Sequence, residues 1–524
     1  MASNQTPPQR PDEQEEVDML DPDEAEEILP DDQDAPMESD DEGDDAPLQE
    51  IQLENDSVAH FDAHKDSIFC IAQHPKNPAI VATGGGDDTG YIFEVAVVEP
   101  ERPPLPASWS GSQQDAGAQK ERESLKPLFK LEGHTDSVAA IAFTQPAGEY
   151  VVSGGMDGRL RAWRDTSKGA GQAWKFVAEA QEVEEITWIS SCPHPAYPNT
   201  IALGASDGSV WVYTINAADA ASPLTIVQAF YLHTGPSTAG AWAPDGKLLA
   251  TVSEDESFYV WDVFGEAAAA GITNPSGSQA VVGLTGEDER FRVEGGLYSV
   301  AIAPNGAFAA VGGAEGHIRI IGLPRVGGDP SATSGARGAG ARGKAAGGKQ
   351  VGGPKGGAAA GQAGAILASL KTQQDSVETL SFSAPPLTLM AAGSVDGSIA
   401  LIDTAHRFAV RRHIQQAHFD EETETEQAVI RVEFLKPSSS AQQPGSQAPP
   451  GSWLLTSCGN DGVVRRWDTR GGTAAANRGL VGEWRGHRGG GEGGGVMGFV
   501  QGSGDKVITA GDDGVSLVFS APIA

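Results

Sequence analysis

One short phrase recurs along this chain. In "SGGMDGRLRAW", Ser153 to Trp163, a small residue or glycine precedes an acidic residue, and a large apolar residue follows six places later. Related phrases end at Phe93, Tyr213, Trp261, Ile321, Ile402, Trp467 and Phe519, which makes eight copies. An array of this kind grows by adding modules to one architecture, so 524 residues need not mean several independent domains. Abundant glycine and few aromatic residues suit short strands joined by many turns.

The second copy shows the whole unit. "LEGHTDSVAAIAF" places Gly133-His134 before a strand with Val138, Ile141 and Phe143; "EYVVSGG" is a second strand, Asp157-Gly158 a tight turn, and "RLRAW" a third strand. His134 to Asp157 spans 23 positions, as does His64 to Asp87 in the first copy. The unit resembles the WD-repeat family, whose module is a four-stranded propeller blade. The resemblance implies that Asp157 orients His134, that His134 meets Ser153, and that Ser153 accepts from the Trp163 indole. The fourth copy carries the same set as His233, Thr251, Asp255 and Trp261; the first and eighth keep His64, Thr83, Asp87 and His487, Thr509, Asp513 but end in Phe. Copies three, five and six lack the histidine, and His418 stands too far upstream to align in the seventh. A His–Ser–Asp set invites comparison with a hydrolase triad, but one that recurs per module and ends on Trp is a structural device.

The expected fold is all-β: an eight-bladed WD-repeat β-propeller at 55–524, preceded by a disordered acidic tail at 1–54. Phe519 ends the third strand of the eighth blade, and "DSVAHF", Asp56 to Phe61, is expected to supply the fourth and close the ring, which would remove an exposed sheet edge. Residues 100–124, 266–289, 438–451 and 488–495 look like polar or Gly-rich loops, and 325–365 is a low-complexity basic insert expected between blades five and six.

Net charge is −36, and residues 1–50 hold twenty acids against Arg10 alone. The repeat region without that stretch remains negative. Such a surface repels phosphate backbones, so direct nucleic-acid binding is not expected and a basic polypeptide is the fitting partner. No apolar run approaches the roughly 18–20 residues that cross a bilayer. Cys70, Cys192 and Cys458 form no CxxC pair and are read as buried small hydrophobes. No metal, cofactor or catalytic constellation is expected. The chain is expected to act as a cytoplasmic monomer, with a visit to the nucleus left open.

Acids collect where the family places the loop from strand d to the next strand a, and the b–c turn. Asp66 and Asp136 follow a repeat histidine by two places; "QEVEEI" supplies Glu182, Glu184 and Glu185, and "QQDSVE" supplies Asp375 and Glu378. Blade seven carries Asp420, Glu421, Glu422, Glu424 and Glu426, while Glu254 and Asp512 precede the turn aspartates of blades four and eight. Exposed ion pairs contribute about 0.2–1 kcal/mol each. Eight to ten of them would supply roughly 4–8 kcal/mol, against about 2–5 kcal/mol for ordering a flexible ligand. Tight binding therefore needs apolar contacts as well, and Phe69 and Met156 are the candidates.

"GGGDDTGYIF", "AQEVEEITWI", "GASDGSVWVY" and "KVITAGDDGVSLVF", with the acidic N-terminal stretch, resemble the ribosome-assembly WD-repeat proteins of fungi, relatives of the angio-associated migratory cell protein of animals. The resemblance implies a dedicated chaperone of one large-subunit ribosomal protein (the L-ten family, L-sixteen in universal naming). It would capture the client's basic N-terminal segment on the acidic face and deliver it to the pre-60S particle. By matching motif, the implied client contacts are Asp136, Glu184, Glu378 and Asp512. Two rival readings are a substrate receptor of a cullin-type ubiquitin ligase, from "WDTR" at Trp467 to Arg470, and a general signalling scaffold.

Overall fold

Seven repeats become four-stranded antiparallel sheets, and the eighth lies in a five-stranded sheet. The computed structural model describes residues 55–95, 122–167, 173–272, 279–326, 363–420, 424–436, 451–470, 479–488, 494–502 and 504–523. The expected tail at 1–54 lies outside them. Blade two shows the pattern: strand a is Val138–Phe143, b is Tyr150–Gly155, c is Arg159–Asp165 and d is Trp174–Gln181. Strand b is buried along its length, whereas strand d is largely exposed. A strand clamped between neighbouring blades has no wet face, so it reads as a continuous apolar run, and only the outer strand meets water. Gly158, at φ +71, makes the b–c turn; a Cβ there would lie 2.0 Å from the Val183 carbonyl oxygen.

The innermost strands are Val138–Phe143, Ile186–Ser191, Ser237–Trp242, Leu297–Ile302, Val377–Phe382, Val429–Phe434, Val496–Val500 and Ile68–Gln73. Each packs against the next and the last returns to the first, so the ring has eight blades and is closed. The apolar cores lie between blades: Ile80, Ile92, Phe143, Val151, Trp163 and Trp174 form one across blades one and two.

Closure follows the expectation. Ala59–Phe61 pairs antiparallel with Ser516–Ser520, Ala59 opposite Val518 and Phe61 opposite Ser516. Phe61 is fully buried and stacks on Phe93 at 4.3 Å, 13° between planes. A fifth strand, unforeseen in the sequence, covers the outside: Glu123–Ser124 runs parallel to Ala59 and His60. Arg122 fastens it by donating to the backbone oxygens of Ser57 at 3.2 Å and Asn55 at 2.5 Å.

Three insert assignments need correction. Strand d of blade five is Ile366–Lys371, so the 325–365 insert joins strands c and d inside blade five rather than blades five and six. The span 266–289 is not simply a loop; it holds a short helix, Glu266–Ala269, and strand d of blade four, Ala280–Leu284. The span 100–124 ends in the covering strand just described. Residues 327–362, 437–450 and 489–493 lie outside the described residues.

The histidine niches also differ from expectation. In blade two, His134 Nδ1 meets Asp157 at 3.0 Å and Nε2 meets Ser153 at 2.6 Å, but no hydrogen bond joins Trp163 to Ser153; the Trp163 ring packs edge-on to Phe176 and under the Arg161 guanidinium. In blade four, Trp261 does donate to Thr251 at 2.8 Å and His233 Nε2 meets Thr251 at 2.8 Å, yet Ser257 stands between His233 and Asp255. Blade seven, expected to lack the set, has all of it. His418 meets Asp461 at 2.8 Å and Ser457 at 2.8 Å, and Trp467 donates to Ser457 at 2.9 Å. The 43 positions from His418 to Asp461 include a small hairpin, Phe419–Asp420 with Thr425–Glu426, and a lengthened a–b connection. In blade six Gln373 fills the niche and donates to the Ser398 carbonyl at 2.9 Å.

Candidate functional site: the acidic end of the ring

One backbone hydrogen bond recurs in every blade. The first residue of the b–c turn donates to the carbonyl of the residue that precedes strand a: Gly86 to Ser67, Met156 to Ser137, Ser206 to Glu185, Glu254 to Pro236, Ala314 to Gly296, Val395 to Ser376, Asn460 to Ala428 and Asp512 to Gly495, at 2.8–3.2 Å. The two kinds of loop that carry the acids are thereby stitched together at one end of the ring. Ser67 Oγ also donates to the Asp512 carbonyl at 2.9 Å, which joins blade one to blade eight across the seam.

Register then places the carboxylates. Asp66, Asp136, Glu184 and Asp375 all stand two places before strand a, in blades one, two, three and six. Asp66, Asp136 and Asp375 are each followed by a serine, whose backbone N–H donates to the carboxylate at 2.7–2.8 Å. That bond aims the side chain while leaving it exposed. Glu185 is exposed beside Glu184, Glu378 is the second residue of its strand, and Glu254 and Asp512 begin the turns of blades four and eight. The structure therefore brings Asp66, Asp136, Glu184, Glu185, Glu254, Asp375, Glu378 and Asp512 to the same end. Blade seven departs from the pattern: Gln427 holds the equivalent place, and Asp420, Glu424 and Glu426 sit on the hairpin, with Glu421 and Glu422 outside the described residues.

Among the described residues, Asp66, Asp136, Glu184, Glu185, Glu254, Asp375 and Glu378 pair with no lysine or arginine. Some acids elsewhere are matched, as Glu149 is by Arg164 at 2.8 Å and Glu315 by Lys371 at 2.8 Å. The unmatched field is felt by Tyr298 of blade five, a residue that the sequence did not single out. Its hydroxyl pKa is raised by burial and then by the charges of Glu254, Glu378 and Asp375, so acids of blades four and six converge on one phenol. Backbone contacts hold them there: a Cβ on Gly296 would lie 3.0 Å from Glu254 Cα, and Ser299 Oγ donates to the Val377 carbonyl at 2.7 Å. Unpaired like charges around one rim raise the energy of the empty protein and lower it when a cation arrives.

Of the two apolar candidates, Met156 is 44% exposed beside Asp157, whereas Phe69 is half-buried against the Gly86 turn. Arg470 of "WDTR" is bound to the Asp468 carboxylate at 2.7 Å and lies 4.0 Å from the Trp453 ring centroid. No group of three metal-ligating side chains occurs among the described residues.

Comparisons with known proteins agree with this geometry. The family described as WD domain, G-beta repeat matches residues 55–94, 125–164 and 224–262. The chain is 27% identical over 507 residues to the ribosome assembly protein SQT1 of Saccharomyces cerevisiae, covering 90% of this chain and 88% of that one. It is 24% identical over 433 residues to the human angio-associated migratory cell protein, covering 83% and 74%. The crystal structure of Sqt1 from Chaetomium thermophilum is similar at 49% identity and a TM-score of 0.71, covering 89% of this chain and 98% of that one. A second structure of that protein, bound to the N-terminus of ribosomal protein L10, matches at 49% identity and a TM-score of 0.71, with 89% and 100% covered. A closed ring of eight WD blades, an acidic end and near-complete coverage at this identity make the chain a member of the Sqt1 family of ribosome-assembly proteins.

Proposed function

We propose that this protein is a dedicated chaperone in assembly of the large (60S) ribosomal subunit. It holds the basic N-terminal segment of a newly made ribosomal protein of the L10 family on its acidic end and delivers that client to the pre-60S particle. The observation that carries the reading is the set of exposed carboxylates, unmatched by any basic side chain among the described residues and held at one end of a closed ring. The family's C. thermophilum member has been seen with the N-terminus of L10 bound. A positive, extended chain supplies the missing counter-charge without needing a pre-formed fold, and the ring keeps it from other polyanions until release.

The protein is a binder rather than a catalyst. Its His–Asp–hydroxyl sets repeat around the ring, and the His64, His134, His418 and His487 side chains are fully buried, out of reach of a substrate. We place it in the cytoplasm as a monomer, where a newly made ribosomal protein is first free and one ring serves one segment.

Asp136→Lys combined with Glu184→Lys tests the reading. Both side chains are exposed, so the thermal midpoint should stay near wild type while binding of a synthetic client N-terminal peptide falls by more than about 100-fold. Titration calorimetry at two salt concentrations measures it; an unchanged affinity in the double variant rejects the acidic end as the client site.

A further inference from the structure

We infer that Tyr231 and Leu232 form the apolar anchor of the client site, taking the hydrophobic side chains that accompany the basic residues of the bound segment. The inference rests on the chaperone reading above and adds the part that charge cannot supply. Exposed ion pairs alone give weak binding, so a carboxylate rim needs apolar area beside it.

The two residues are the exception in their register. They stand just before His233, where the other occupied niches have Asp62-Ala63, Glu132-Gly133, Lys371-Thr372, Gln416-Ala417 and Arg485-Gly486. Only here are both side chains large and apolar, and both face solvent: Tyr231 is 64% exposed and Leu232 43%. Tyr231 stands edge-on to Trp211, ring centroids 5.7 Å apart at 85°, so two aromatic rings present one corner. Trp211 is itself fixed, its indole donating to Ser209 at 2.9 Å and Ser209 to Asp207 at 2.6 Å.

The loop that bears the pair cannot fold it away. His233 is held on both ring nitrogens, by Thr251 and Ser257. Thr234 N–H donates to Asp255 at 2.5 Å, and Glu254 N–H donates to the Pro236 carbonyl at 3.2 Å. The Gly208 turn packs from the other side, where a Cβ would meet the Gly235 carbonyl oxygen at 2.6 Å. Rigid, exposed Tyr beside Trp is the composition of binding hot spots, because the area is offered at little conformational cost.

The patch is continuous with the acidic end. Pro236 of this same d–a loop accepts the Glu254 N–H, and the Gly208 turn on which the loop packs is stitched to Glu185 through the Ser206 N–H at 3.2 Å.

The test compares wild type with the Tyr231→Ala/Leu232→Ser double variant against two synthetic peptides of the client's N-terminal segment, one native and one with its aromatic and aliphatic residues replaced by serine. The native peptide should bind the variant roughly 10- to 100-fold more weakly, with the same dependence on salt, since no charge is touched. The serine peptide should bind both proteins equally, and Tyr231→Phe alone should keep most of the affinity. Equal affinity of the native peptide for wild type and double variant overturns the anchor while leaving the chaperone reading standing. Failure of wild type to bind the native peptide at all removes the chaperone reading and the anchor with it.

Discussion

At the scale of single residues, the buried niches set how this ring answers acid. Asp461 is caught between His418 and Arg465; burial pushes its carboxyl pKa up, but the charge and hydrogen bonds of those two neighbours outweigh burial and hold it at about 2, from 3.8. Asp87, hydrogen-bonded to His64 at 3.0 Å, is likewise held at about 2 against burial. A depressed carboxyl stabilises the fold fully above its unfolded value and loses that contribution as pH falls toward the folded one. Stability should therefore decline between about pH 4 and pH 2. Asp461→Asn leaves His418 and Arg465 without their acid, which should cost about 3 kcal/mol at neutral pH and flatten part of that acid decline. Unfolding midpoints from pH 7 to pH 2 measure both effects; a variant as stable as wild type at pH 7 would show the niche to be dispensable. The same residues mark what spacing can reveal. His134 and Asp157 were legible because nothing interrupts their 23 positions, whereas His418 was hidden by a hairpin and a long a–b connection. Removing the polar stretches before measuring the spacing would have uncovered it.

At the scale of elements, the weak point of a ring is its seam. Blade eight borrows its fourth strand from Ala59–Phe61, and Glu123–Ser124 covers that strand in turn. "DSVAHF" was legible as the closing strand from its place, just before the first repeat and outside every copy of it. The covering strand was not, since two polar residues at the end of a low-complexity stretch carry no periodicity. The same cause misplaced strand d of blade five: Ile366–Lys371 faces water on alternate residues, so its pattern barely stands out from the insert before it. Phe61 is the packed residue of the seam, stacked on Phe93 among Tyr91, Ile508 and Val518. Phe61→Ala should cost about 3–5 kcal/mol, and the loss should be local. Hydrogen exchange should rise at residues 58–61 and 516–520 well before blade four, and the freed edge of Ser516–Ser520 should promote association on warming. Uniform acceleration in all blades would show instead that the seam opens only with the whole ring.

At the scale of the whole molecule, the ring has two ends built from different loops. Antiparallel order sends every d–a loop and b–c turn to one end and every a–b and c–d connection to the other. The acids were legible as a set because repeat register fixes that end; the Tyr231–Leu232 corner was not, since two apolar residues in one loop look like a strand end until their exposure is known. The roots of the blade-five insert lie at the other end, where strand c, His317–Gly322, ends and strand d, Ile366–Lys371, begins. Its roots are already tied together: Gly322 N–H donates to the Ala365 carbonyl and Gly364 N–H to the Gly322 carbonyl, both at 2.9 Å. Lys247 Nζ holds the Val326 carbonyl at 3.3 Å on the outgoing side. A chain whose two roots are fixed independently of what lies between them tolerates removal of the middle. Replacing residues 329–360 with a four-residue Gly-Ser link should therefore leave both the thermal midpoint and the affinity for the client peptide unchanged within about 2-fold, the range of a neutral surface change. Calorimetry on the shortened protein decides it. A large loss of affinity with the fold intact would mean that this basic stretch reaches the client from the far end of the ring, and that binding is not confined to the acidic end.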